Sequence, residues 1–307
     1  MNNIKTVQQI IDNYNSETPG VRGNIYRLLS NGALAGTGKM LILPVDQGFE
    51  HGPDRSFAPN PDGYDPLYHC KFAVEAGMSA FAAPIGMIEA AAEYAGHIPM
   101  ILKMNSSNSL MPSDAKKDQA VYANVDDALR LGCSAIGFTI YPGSSTSLEM
   151  FEEISYYARE AKNKGLAVVV WSYPRGEQLD SKAETALDVI AHATQIAALI
   201  GAHIIKVKLP TSHIDRPDNI TTFKNCNITG MDNASCRVAH VMKAAFNGKR
   251  IVVFSGGSKK SADSVFEDAV AIRDGGGHGT IIGRNTFQRP KEEAMKMIHR
   301  LVSIYKE

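Results

Sequence analysis

Lys206 and Lys208 stand near the end of an apolar run, "AHIIKVKLPT" at residues 202–211. An ammonium taken out of water is costly unless it is paired or loses its proton. A lysine that has lost its proton is a nucleophile toward a carbonyl carbon and forms a Schiff base. Burial depresses the proton affinity of an amine, and a neighbouring ammonium such as Lys103 depresses it further. If the run is a strand, Ile204 and Lys206 share one face, while Ile205 and Val207 share the other. Lys208 has the parity of Lys206, but it is two residues further on and just before Pro210. It is expected to leave the strand, which makes Lys206 the candidate nucleophile. The ordinary alternative is a lysine snorkelling at a strand end.

The same parity argument gathers other reactive side chains. "VVVWSYPRG" places Tyr173 on one face with Trp171, the single tryptophan of the chain. A phenol gives or takes a proton where cations lower its pKa; otherwise it is a core tyrosine whose hydroxyl finds a partner. Trp171 is expected both to wall a pocket and to fill space. Asp46 shares a face with Ile42 and Pro44. It could orient substrate hydroxyls, assist proton transfer, or pair with Lys206 or Lys103. His51, in the loop after Asp46, is read as a hydrogen-bonding group rather than a metal ligand. Two tripeptides read together as a phosphate cradle. Ser255-Gly256-Gly257 frees backbone N–H groups to approach an anion. Gly283-Arg284-Asn285 adds a guanidinium for charge-assisted bonds. The nine histidines form no close pair or cluster, so no metal site is expected.

Eight short apolar runs carry these residues: 39–46, 79–86, 98–105, 134–143, 166–174, 202–210, 250–257 and 278–285. They are continuous rather than alternating, as in a parallel sheet covered by helices. Helical patterns lie between them. Residues 147–165 put Leu148, Phe151, Ile154 and Ala158 on one face, with Gly165 past the end. Residues 182–201 do the same with Ala186, Val189, Ile190, Ala193 and Ile196, and 261–276 closes on glycine too. Eight β-α units in about 250 residues predict a closed (β/α)8 TIM barrel; an open doubly wound sheet is the rival. No linker splits the chain, so a single domain is expected over 1–307. It comprises a helical segment at 1–38 closing the barrel's bottom, the barrel at 39–290, and a C-terminal helix at 291–307. Working residues of such barrels gather at the C-terminal ends of the strands, with phosphate after strands seven and eight. Every candidate above falls there. Residues 211–235, polar and with little periodicity, read as a long loop.

Composition narrows the function classes. Lys plus Arg and Asp plus Glu both number 32, which gives no global field for nucleic acid or an anionic membrane. Any anion site is therefore local. No apolar stretch reaches the roughly 18 residues of a membrane span, and the polar start lacks the basic-then-apolar order of a signal peptide. Cys70, Cys133, Cys226 and Cys236 lie far apart, the usage of reduced structural thiols in a cytoplasmic protein.

On "LPVDQGFEHGP", "ILKMN", "VVVWSYPRG", "GAHIIKVK", "VVFSGG" and "IIGRN", the chain resembles the class I fructose-1,6-bisphosphate aldolases of the archaeal and bacterial, DhnA-like type. The resemblance runs from strand one to strand eight. It implies a barrel that uses a lysine Schiff base and no metal or other cofactor. Lys206 matches the Schiff-base lysine and Tyr173 the proton-transfer tyrosine, with Trp171 beside it. Asp46 and His51 match the acid and histidine of the strand-one motif, and Lys103 the strand-three lysine. Ser255, Gly256, Gly257, Gly283 and Arg284 match the phosphate site. A phosphorylated sugar as substrate and a homo-oligomer, often a decamer, are implied as well. One departure is "KVKLPTSH", where archaeal relatives carry a Tyr-Thr-Gly-Asp turn; the second phosphate's residues stay unassigned. The alternatives are a sister Schiff-base enzyme, making 2-amino-3,7-dideoxy-hept-6-ulosonate or acting on a phosphorylated autoinducer, and a silent phosphosugar-binding barrel.

Overall fold

The computed structural model describes residues 2–112, 114–255 and 261–307. Eight parallel strands close a barrel: β1 (Met40–Pro44), β2 (Ala80–Ala83), β3 (Met100–Lys103), β4 (Ala135–Ile140), β5 (Ala167–Ser172), β6 (Ile204–Lys208), β7 (Ile251–Ser255) and β8 (Gly279–Ile281). Neighbours in sequence pair all the way round, and Met40 opposite Gly279 closes the ring between β8 and β1. The open doubly wound sheet is thereby excluded. Each apolar run of the sequence contains one barrel strand.

Side-chain alternation splits the apolar residues into two clusters. Ile42, Ala82, Ile101, Val169, Trp171, Ile204 and Val253 fill the inside of the barrel. Leu43, Phe81, Leu102, Val170, Ile205, Val207 and Val252 pack outward under the helices. Lys206 follows the parity of Ile204 and is only 6% exposed. The N-terminal helices Asn2–Asp12 and Pro19–Leu29 cover the bottom. The second begins where the Thr18 hydroxyl caps the Val21 N–H, with Pro19 at the first helical position. Between them the Tyr14 hydroxyl donates to the His203 carbonyl at 2.7 Å and accepts from the Ile251 N–H at 3.1 Å. The starts of β6 and β7 are thus pinned together from below.

Three expectations need correction. The helix expected at 182–201 begins only at Leu187. A 3₁₀ turn, Ala183–Thr185, precedes it, and Ala186 is extended. The Leu187 N–H is taken by the His213 carbonyl at 2.8 Å, so the segment after β6 stops the helix from starting earlier. In the helix Ser147–Asn163, Leu148 is 70% exposed, while Met150, Ile154, Ala158 and Ala161 are buried. Leu148 lies about 200° round the helix from Met150, on the solvent side. The stretch 211–235 contains a helix, Pro217–Asn225, that buries none of its residues. Such a helix has no apolar stripe for periodicity to reveal. It is anchored by Asp188, whose carboxylate accepts from the Asp215 and Arg216 N–H groups and from Asn219 Nδ2 at 2.9–3.0 Å.

Gly137 on β4 makes room for the indole of Trp171, since a Cβ there would lie 2.4 Å from a ring carbon. Gly137→Ala is expected to cost about 1–3 kcal/mol of stability through overpacking. Denaturant unfolding checks this, and a midpoint equal to wild type would show that the indole moves aside freely.

Candidate active site

The Lys206 amine lies inside the top of the barrel, 4.1 Å from the centre of the Tyr173 ring. Its Cα is the register partner of Trp171 on β5. Burial pulls its pKa down to about 7, against the opposing pull of Asp46 and Glu50 and with help from Lys208 and Arg284. At neutral pH a large share of this amine is therefore free to attack a carbonyl.

Lys103 is engaged by polar groups of its own. It is 2% exposed, and its Nζ donates to the Asn105 carbonyl and, at 3.2 Å, to Asn105 Oδ1. Asp46 Oδ2 lies 3.8 Å away as its ion partner, and the Trp171 ring centre lies 5.8 Å away. Asn105 is itself fixed, accepting from the Thr139 N–H at 2.7 Å and donating to the Thr139 carbonyl at 2.9 Å. Lys103 is thus held by Asn105 and Asp46, inside the barrel and within reach of the Trp171 ring. Among cations, Lys208 and Arg284 do most to depress Lys206.

Lys208 does not leave the strand. It is the last residue of β6, half-buried, and donates to Glu184 Oε2 at 2.9 Å. That bond turns its ammonium to the loop after β5. Asp46 ends the β1 segment and precedes a short helix, Gln47–His51. Burial lowers the pKa of His51, with Glu50 pulling the other way; Glu50 Oε2 is 3.7 Å from its Nε2. Ser255 closes β7 opposite Lys208. Gly283 and Arg284 lead into the helix Arg284–Phe287 beyond β8. Gly256 and Gly257 lie outside the described residues. Asp46, His51, Trp171, Tyr173, Lys206, Ser255, Gly283 and Arg284 all line one cleft, together with Lys208.

Glu50 and Arg175 were missed by the sequence reading. Arg175 Nη1 donates to Glu50 Oε1 at 2.9 Å and to Tyr141 Oη at 3.2 Å. Its guanidinium lies 5.3 Å from the Tyr173 ring centre and 5.4 Å from that of Tyr141. Burial pushes the Glu50 carboxyl up, but Arg175, with His51 and Lys103, more than offsets this and holds it below its ordinary value. Both residues sit inside quoted motifs, "QGFEHGP" and "SYPRG", yet beyond the strand ends where parity no longer assigns a direction. The pair divides the cleft from a second hollow bordered by Ser107, Lys116 and Lys117.

Glu177 laces the rim of that hollow. It accepts from the Ser145 N–H at 2.9 Å and the Lys117 N–H at 3.3 Å, and Ser144 Oγ donates to the Lys117 carbonyl at 2.5 Å. Gly176 and Gly143 meet backbone to backbone, so that a Cβ on Gly176 would lie 1.8 Å from the Gly143 carbonyl oxygen. The loops after β3, β4 and β5 are thereby joined. Among the described residues, no group of three or more His, Cys, Asp or Glu side chains is placed to hold a metal ion. No described helix is long and apolar enough to cross a membrane.

A sequence profile of DeoC/LacD family aldolases matches residues 40–289, the whole barrel from the first residue of β1. The chain belongs to the DeoC/LacD aldolase family. Among its relatives, the probable class 1 fructose-bisphosphate aldolase of Chlamydia trachomatis serovar D is 34% identical, covering 92% of this chain and 83% of that protein. The class 1 fructose-bisphosphate aldolase of Thermoproteus tenax is also 34% identical, over 87% of this chain and 89% of its own. A solved archaeal fructose-1,6-bisphosphate aldolase, its catalytic lysine covalently bound to the carbinolamine intermediate, superposes with a TM-score of 0.75. It is 31% identical and covers 92% of this chain and 98% of its own.

Proposed function

We propose that this DeoC/LacD aldolase is a class I enzyme that cleaves fructose 1,6-bisphosphate reversibly to dihydroxyacetone phosphate and glyceraldehyde 3-phosphate. The observation that carries the proposal is the Lys206 amine. It is buried and inward-facing, with its pKa drawn to about 7, against Tyr173 and in one cleft with Ser255 and Arg284. Lys206 attacks the C2 ketone, water leaves, and an iminium forms. A base removes the C4 hydroxyl proton, the C3–C4 electrons pass into the iminium, and glyceraldehyde 3-phosphate departs. The resulting enamine takes a proton at C3. Hydrolysis then releases dihydroxyacetone phosphate and the free amine. Tyr173 relays the protons, and Asp46 orients substrate hydroxyls. Trp171, Lys103 and His51 shape and charge the pocket. Ser255, Gly256, Gly257, Gly283 and Arg284 bind one phosphate.

The relatives' class 1 names and the lysine-bound carbinolamine of the archaeal enzyme support a route that needs no metal or other cofactor. Cleavage is expected to continue in the presence of a chelator; turnover lost with chelator and restored by a divalent ion would favour metal-assisted chemistry instead. A panel of phosphosugars with coupled product assays separates this substrate from those of sister Schiff-base enzymes. The same reading carries a homo-oligomer in the cytoplasm. Exposed Leu148 and Tyr156 on one helix support a self-associating surface, and light scattering on the eluted protein tests it.

The pH dependence follows from the amine. Attack needs the unprotonated form, so kcat/KM is expected to fall on the acid side of about pH 7, where the amine of Lys206 titrates. The loss approaches about tenfold per pH unit. A profile still flat two units below neutrality would show that the free amine is not required.

A further inference from the structure

Lys208 lines the cleft but has no part in the reaction scheme. It lies on the face of β6 that carries Lys206, and its half-buried ammonium is held 2.9 Å from Glu184 Oε2. Glu184 is not free to wander. It belongs to the 3₁₀ turn Ala183–Thr185, and its N–H donates to the Asp180 carbonyl at 3.0 Å. The turn is in turn stapled to the segment after β6, because both the N–H and the hydroxyl of Thr211 donate to the Thr185 carbonyl, at 2.8 and 3.1 Å. A fixed carboxylate therefore holds the ammonium of a residue whose Cα lies one strand repeat, about 7 Å, from that of Lys206.

The other charges around Lys206 are already engaged or opposed. Asp46 faces it from β1 but is the ion partner of Lys103 on β3. Glu50, from the helix after β1, is paired with Arg175 from the loop after β5 and lies beside His51. Tyr173 contributes its ring, β7 ends in the uncharged Ser255, and Arg284 approaches from beyond β8.

We propose that Lys208, held by Glu184, is a positioning residue that sets the proton affinity of Lys206 and so the fraction of enzyme armed for attack at neutral pH; this rests on the Schiff-base reading. A second positive charge on the same strand face makes the ammonium form of Lys206 less favourable. Glu184 keeps the charge in place and moderates it. The two side chains therefore act on Lys206 with opposite signs.

The test is the pH dependence of amidination of the full-length protein by methyl acetimidate. Fragment-ion mass spectrometry resolves position 206 from 208. The wild-type midpoint at Lys206 is expected near 7. Lys208→Met should raise that midpoint by about one pH unit, and Glu184→Gln should lower it. The double variant should fall between the two single variants, and Lys208→Arg should stay near wild type. Unmoved midpoints in both single variants would overturn the proposal. So would a kcat/KM loss in Lys208→Met with the midpoint in place, since that marks Lys208 as a substrate contact. Borohydride trapping of the substrate adduct runs in parallel. If no adduct forms on Lys206 at any pH while the amidination midpoints still move, the tuning stands and the aldolase reading fails.

Discussion

Lys206→Met is expected to abolish cleavage, lowering kcat/KM by roughly 10⁵-fold or more. Borohydride in the presence of fructose 1,6-bisphosphate should then leave no adduct on the protein. Methionine keeps the length and apolar bulk of the side chain within the barrel. It also removes an amine whose burial is unfavourable, so the variant should fold at least as well as wild type. Unfolding midpoints check that the loss is chemical. Lys208 cannot take over, because its Nζ is committed to Glu184 at the strand end. A trapped adduct located on Lys208, or turnover within a factor of ten of wild type, would refute the assignment of the nucleophile.

Tyr173→Phe is expected to lower kcat by about 10²- to 10⁴-fold, the usual worth of a positioned proton-transfer group. The phenyl ring remains, so the packing 4.1 Å from Lys206 Nζ and 5.3 Å from the Arg175 guanidinium should persist. Substrate binding and formation of the iminium should therefore survive, and trapped adduct should accumulate on Lys206. Rapid-quench trapping separates the steps. Wild-type turnover in the variant would remove the hydroxyl from the mechanism. Loss of the adduct would reassign Tyr173 to shaping the pocket.

Strand parity was legible in the sequence because it is a property of the backbone. Once 202–210 is a strand, Ile204 and Lys206 must point one way and Ile205 and Val207 the other, and the two apolar clusters divide along that line. The barrel followed from repeating such runs eight times. Charge pairing was legible only in part: parity offered Asp46 to Lys206 or Lys103, and Lys103 takes it. Apolar periodicity reports which residues are buried, not which carboxylate a given ammonium meets. Lys103 therefore looked like a neighbour of Lys206, although Asn105 and Asp46 hold it. Glu50 and Arg175 escaped for a related reason: past the strand ends, the partner of a side chain is set by how two loops meet. The surface helix Pro217–Asn225 escaped because nothing in it is buried.

The knot that Glu177 ties has a consequence for how this barrel could be redesigned or diverge. The excursion after β3, the turn after β4 and the loop that delivers Arg175 share the Glu177 carboxylate, and the last two also cross closely, backbone to backbone. They form a cassette that must be inherited whole. A chimera that takes the loop with Arg175 from a cousin lacking Gly176 and Glu177 would leave the amide groups of Lys117 and Ser145 without their acceptor and two chains contending for the same space at Gly143. New specificities on this scaffold should therefore arise by exchanging all three loops together.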